Sequence, residues 1–455
     1  MKTELQKIAE DMEKRSVTLR LVVTGTEEDG ESGRVCVQPP KFAEPFRHVE
    51  VCVEQLRKGE TMELELKYQM SMGGRYVFYT WVKGNELATL NRAVVSFKGA
   101  GIYSGNTHSH STYSDGKSTL EENRRVMMEN GHSFIYATDH NTTAHHAELK
   151  EYEAKGIEEN FLHIPGWEFT TPYGHSIAYR TDEVYDKEKI PERGDLEAWQ
   201  EYMDVQNGKN AIVYICHPYE APKYEYGENV LKEIQGAQGV EAWNGYNFHA
   251  LAYQNRKNFE VWDKLNRRGG QHYVGSCVSD AHTAIGQSSP FMKGYLPELS
   301  REAVEGWLTG GGFFGSNGPE LDFRIGAAGM GGTCHVNGAA GMGEDGHVAD
   351  AANSQKVLMT VDAFDPLGDI EAVNVYRGFV DGEYLEKPNT KKVFEFYPMG
   401  ENEKRRFVKD MYIDVKPGEF YRVEMITGLG VVAYMSNHAK VEKGFAFTNP
   451  IWIEK

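Results

Sequence analysis

The sequence predicts a mixed α/β protein with a β-rich segment over 1–100, an α/β barrel over 101–320 and a β-sandwich over 321–455. Three observations carry that reading. Residues 17–99 alternate apolar and polar side chains with period two, as in Val17-Thr18-Leu19-Arg20-Leu21 and Met62-Glu63-Leu64-Glu65-Leu66, between turns rich in Gly and Asp. From about Gly101 short apolar strands alternate with helical stretches, the pattern of a parallel sheet or barrel. After about Pro319 that alternation stops, and strands resume over 356–363, 372–376 and 420–425.

Length and composition set the frame. At 455 residues the chain exceeds what one core supports, so two or three domains are expected. Hydrophobic residues at 40% and charged residues at 25% suit a globular chain, and no apolar run reaches the length of a membrane span. Met1 to Arg20 lacks the apolar stretch of a secretion signal, and five scattered cysteines suggest reduced thiols, so a cytoplasmic location is expected. A net charge of -18 repels polyanions at long range, which argues against nucleic acid as the main partner and still admits a small anionic substrate. No membrane partner is expected, and the oligomeric state is open.

Within the central segment, Ser118 and Glu121 form a capping-box pattern and Gly131 stands where that helix should stop. A second helix is expected over 248–267, from the spacing of Leu251, Tyr253, Phe259, Trp262 and Leu265. Beyond Pro319, Gly326–Gly331 recurs as Gly338–Gly343; two similar turns explain this, since no helix follows to make a phosphate cradle.

The chemical signal lies at the strand ends. Strand 102–107 leads into His108-Ser109-His110, strand 134–138 into Asp139-His140, and strand 161–167 into Glu168. Strand 211–216 leads into His217, and strand 273–279 into Asp280-Ala281-His282. In a parallel barrel those ends converge on one face. Imidazoles and carboxylates suit Zn, Mn or Fe, and a carboxylate such as Glu168 can bridge two ions with a hydroxide held between them. A lone strand-end His is more often a hydrogen-bonded residue than a ligand; His175 alone would merit no more. The ordered set is what points to metal. His145, His146 and His249 remain substrate contacts or surface residues.

These motifs, with Ser114-Asp115-Gly116 and Thr138-Asp139-His140-Asn141, resemble those of the PHP (polymerase and histidinol phosphatase) family over roughly 101–319. Gly239-Val240-Glu241-Ala242-Trp243-Asn244-Gly245 is further similar to its branch containing carbaryl-type ester hydrolases. The resemblance implies a distorted (β/α)7 barrel and two to three divalent metal ions. It assigns His108, His110, Glu168 and Asp280 to one ion; Glu168, His175 and His217 to a second; and Asp115, His140 and His282 to a third. Some members carry His where this chain has Asp115. Asp139 would orient a ligand imidazole. Glu168, Asp280 and His282 are the expected catalytic residues, and Glu241, Asn244 and His145 the expected substrate contacts, although a structural role suits Glu241 and Asn244 equally.

The function expected is a metal-dependent hydrolase, foremost a phosphoesterase acting on a small-molecule phosphoester through a metal-bridging hydroxide. The alternatives are hydrolysis of a carboxylic ester or carbamate at the same site, and a non-enzymatic protein that binds glycan or protein.

Overall fold

The computed structural model describes residues 1–186, 192–220, 222–246, 249–336, 354–384, 389–400, 403–428, 433–435, 438–440 and 442–455. The second Gly-rich turn, Gly338–Gly343, lies outside them. The first is a two-residue hairpin: Arg324 pairs with Gly329 and Ile325 with Ala328, around Gly326 at φ 59°.

Alternation in the N-terminal segment does what period two requires. Strand Ser16–Thr24 buries Val17, Leu19, Leu21 and Val23, and pairs antiparallel with Lys2–Asp11 and Thr61–Met70, Leu19 facing Leu66 and Leu21 facing Leu64. Its apolar face packs on strands Glu31–Gln38, Gly73–Val82 and Asn91–Phe97. Gly73–Val82 then runs parallel to Gly101–Asn106, so this sheet continues into the central segment. The contact is close enough that a Cβ on Gly101 would fall 1.7 Å from the Gly73 carbonyl oxygen.

The central segment is mixed rather than wholly parallel. Gly101–Asn106, Phe134–Ala137 and Leu162–Thr171 pair in parallel, as do Ile212–Cys216, Gly239–Asn244 and Val274–Val278. Between the two runs, Gly174–Tyr179 is inserted antiparallel to both neighbours, and Phe291–Leu296 returns antiparallel to Gly101–Asn106. Helices Leu120–Glu129, His146–Glu159, Leu196–Gly208, Tyr253–Arg268 and Arg301–Gly310 alternate with these strands. The expected capping box exists one residue later, on Thr119 and Glu122, because T-x-x-E overlaps S-x-x-E.

Two antiparallel sheets share one apolar core in the C-terminal segment. One contains Glu320–Ile325, Gln355–Phe364 and Arg406–Val415; the other contains Ile370–Phe379, Lys391–Phe396, Glu419–Thr427 and Gly444–Thr448. Gly444–Thr448 also pairs with the central strand Phe313–Ser316. Phe445 and Phe447 belong to the central core, Phe447 lying 4.9 Å from the Phe259 ring and 5.7 Å from that of Trp262. Beside them Arg422 grips Asp263 with two bonds of 3.1 and 3.0 Å, and Glu424 accepts from both Arg422 and Arg256. The two segments therefore share a sheet, aromatic packing and a buried ionic network.

Candidate metal centre

The polar residues at or just beyond the C-terminal ends of the parallel strands gather at one end of the sheet. Ser109 bridges to Ala281 and His140 to Glu168 in parallel register. The amides of His110 and Asp280 donate to the carbonyls of Ala281 and His108. These bonds lock His108-Ser109-His110 beside Asp280. Asp280 itself has φ 49°, a left-handed conformation that is strained for a non-glycine residue and here aims the carboxylate at both imidazoles.

Nε2 of His108, Nε2 of His110 and Oδ1 of Asp280 form a triangle with sides of 3.1, 3.2 and 3.0 Å. Glu168 Oε2 stands 3.4 Å from the first imidazole and 3.5 Å from the second. Ligands about 2.0–2.1 Å from a tetrahedral ion are separated by roughly 3.3 Å, so these spacings are those of a coordination sphere. A second group joins Glu168 Oε1 to His175 Nδ1 at 3.0 Å and to His217 Nε2 at 3.6 Å. A third sets Asp115 Oδ1 3.4 Å from His140 Nε2 and 3.2 Å from His282 Nε2, with His110 alongside. All nine residues expected as ligands are thus brought together, and Glu168 reaches into the first two groups through different oxygens.

Charge makes a stronger statement than distance. Glu168, Glu241 and Asp280 are buried at 0, 1 and 6% exposure, and among the described residues no Lys or Arg forms an ion pair with them. Burial alone would push the imidazole of His108 down, but Asp280, Glu241 and Glu168 hold it well above the usual histidine range. His217 is likewise depressed by burial and raised further by Glu225, Glu168 and Glu241. Burial raises Glu168, and His108, His175 and His140 outweigh it, holding the carboxyl well below the ordinary glutamate value. The cluster is a pocket of buried anions calling for cations, and the donor set of imidazole and carboxylate fits divalent metals.

Around the ligands lies a set of supporting contacts. Glu241 Oε1 is 2.6 Å from His108 Nδ1, and its Oε2 accepts from the His217 amide and from Asn244 Nδ2. That fixes the His108 tautomer with Nε2 free, and it puts Glu241 beneath the ligands rather than facing substrate. Asn244 does line the cleft, and it also donates to Asp280 Oδ2 at 3.0 Å. Asp139 holds the loop after His110 instead of an imidazole ligand, accepting from the Ser111 amide and the Ser111 and Ser114 hydroxyls. His145 is fully buried against the carbonyls of Ala137 and Gly166 and is absent from the lining of the cleft. His146 also bonds to Gly166 O, and His249 to Lys443 O. Glu225, which sequence reasoning missed, lies 3.3 Å from His217 Nδ1 at the cleft wall.

Above the buried floor opens a cleft of about 450 Å³, lined by His140, His175, His217, Asp280 and His282 and by Lys223, Glu225 and Tyr246. No protein-family model and no curated protein matches the chain. Among solved structures, it is similar to a two-domain protein containing a predicted PHP-like metal-dependent phosphoesterase from Bacteroides vulgatus: 14% identity, TM-score 0.36, covering 76% of this chain and 95% of that one. A lesion-specific endonuclease from Pyrococcus furiosus is 13% identical, with TM-score 0.29 over 47% of this chain and 57% of its own. A candidate metal-dependent phosphoesterase from Bifidobacterium adolescentis is 15% identical, with TM-score 0.28 over 44% and 93%. Scores this low leave the functional reading to the site itself.

Proposed function

We propose that the chain is a metal-dependent hydrolase, foremost a phosphoesterase, holding two to three divalent ions in the His108–His282 cluster. The observation that supports this most is the set of three buried carboxylates with no Lys or Arg partner among the described residues, interleaved with imidazoles at coordination spacing beneath an open cleft. His108, His110, Asp280 and Glu168 would hold one ion, Glu168, His175 and His217 a second, and Asp115, His140 and His282 a third. Such ions supply a water of lowered pKa and neutralise charge developing on phosphate oxygens. The protein's own part is positional. Glu241 sets His108, Glu225 faces His217, Asn244 steadies Asp280, and the cleft admits the ester beside them.

One observation favours the second reading, an ester or carbamate hydrolase. The cleft wall carries Glu220 and Glu225 against the single lysine Lys223, a setting that suits a less charged substrate. Matched nitrophenyl phosphate, acetate and carbamate substrates, assayed with Mn- and Zn-reconstituted protein, separate the two. Higher kcat/KM on the phosphate supports the first. An acetate or carbamate ahead by about tenfold, some 1.4 kcal/mol of transition-state binding, replaces it with the second. No turnover of any of the three, with or without metal, rejects both and leaves a binding protein.

A further inference from the structure

The cleft is not the only opening onto the cluster. A second hollow of about 300 Å³ is lined by Asp115, Lys117, Gly245, Tyr246, Thr283 and Ser289, and it shares His282 and Tyr246 with the cleft. Tyr246 stands between the two, its ring 4.9 Å from that of His282 and 45% exposed, with its amide fixed on Asn244 Oδ1. Each opening holds one lysine, Lys223 in the cleft and Lys117 in the hollow. Neither makes an ion pair among the described residues, on a chain whose net charge is -18. An exposed lysine in each opening gives it a cation that a ligand's acceptor groups can meet.

From this geometry we infer that the substrate is a small phosphodiester, bound with its phosphate at the cluster, one organic arm in the Lys223 cleft and the other across Tyr246 in the Lys117 hollow. The inference rests on the phosphoesterase reading. A monoester has one arm and would leave one opening unused. A diester phosphate also carries one negative charge where a monoester carries two, which eases the presence of Glu220 and Glu225 in the cleft wall. The hollows are about 450 and 300 Å³, room for an organic arm of up to about nucleoside size in each. Hydrolysis adds the oxygen of one water to phosphorus and breaks one P–O bond. The departing arm takes one proton of that water and leaves as an alcohol, the other proton passes to solvent, and the second arm stays on a monoester product.

The test uses metal-reconstituted protein and three substrates that share one leaving group: 4-nitrophenyl phenyl phosphate, 4-nitrophenyl methyl phosphate and 4-nitrophenyl phosphate. The phenyl diester should exceed the methyl diester in kcat/KM by about tenfold, chiefly through KM, and both should exceed the monoester. Tyr246→Ala and Lys117→Ala, with metal content and circular dichroism checked, should each cut the phenyl-over-methyl ratio severalfold. Equal diesters, a preferred monoester, or an intact ratio in both variants overturns the two-armed substrate while leaving a phosphoesterase in place. Turnover of none of the three, with a nitrophenyl ester hydrolysed instead, overturns the phosphoesterase reading and this inference with it.

Discussion

Nε2 of His108 stands 3.1 Å from Nε2 of His110, and the two nitrogens face each other in a fully buried site. Glu241 Oε1 accepts from Nδ1–H of His108, so the neutral imidazole presents its lone pair at Nε2. Asp280 Oδ1, 3.0 Å from His110, presents another acceptor. Such an arrangement is stable when a cation, proton or metal, lies among these atoms.

Purified protein supplied with metal should therefore carry about two to three divalent ions per chain, as nine candidate ligands with one shared carboxylate suit that number. Elemental analysis checks this. Less than half an ion per chain would falsify the multinuclear site.

His108→Ala and Asp280→Ala each remove a corner of the tightest triangle. Hydrolase activity should fall by about a thousandfold or more in both, with the circular dichroism spectrum retained. Wild-type kcat/KM in either variant refutes the assignment.

Glu241→Gln keeps the volume but loses the carboxylate that fixes His108, so metal affinity should drop by about ten- to a hundredfold. Competition with a chromogenic chelator measures it directly. Unchanged affinity would mean that Glu241 serves packing alone.

Removing residues 321–455 should prevent the central segment from folding, because Gly444–Thr448, Phe445, Phe447 and the Arg422–Asp263 pair would all be lost. A 1–320 fragment that is soluble and binds metal as tightly as the full chain contradicts this.

A pH test lies far from the cluster. Burial pushes the carboxyl of Asp365 up from 3.8 to about 6, although the Leu367 and Gly368 amides both donate to it. With the folded pKa raised, this group's contribution to stability is full below about pH 4 and is lost as pH rises through about 6, on the order of 2 to 3 kcal/mol. Asp365→Asn retains an acceptor oxygen and carries no charge. Its Tm should gain on the wild type between pH 4.5 and 8, and parallel curves over that range would defeat the assignment.

Strand-end chemistry was legible because a short strand-forming run alternating with helical stretches names both the strand and the residue that leaves it, as with Gly101–Asn106 and the His108 that follows. Direction was harder to read. His145 shares its neighbourhood with His140, yet it turns inward onto two carbonyls, a choice made by the packing of helix His146–Glu159. Glu225 sits just after the short strand Lys223–Tyr224, which leaves no periodic trace. The inserted antiparallel strand Gly174–Tyr179 reads locally like any other apolar strand, and its sense depends on partners distant in the chain. The same holds for the boundary near Pro319, where composition changes but the sheet does not end.

The pairing of Phe313–Ser316 with Gly444–Thr448 also constrains how the protein is made. During synthesis the metal-ligand candidates have all emerged by His282, yet the sheet behind them lacks a neighbour until Gly444–Thr448 has left the ribosome. Non-local pairings of this kind form late and expose unpaired strand edges while they wait. A nascent chain would thus hold its histidines loosely while translation continued, and firm capture of metal would mark the arrival of the final strands.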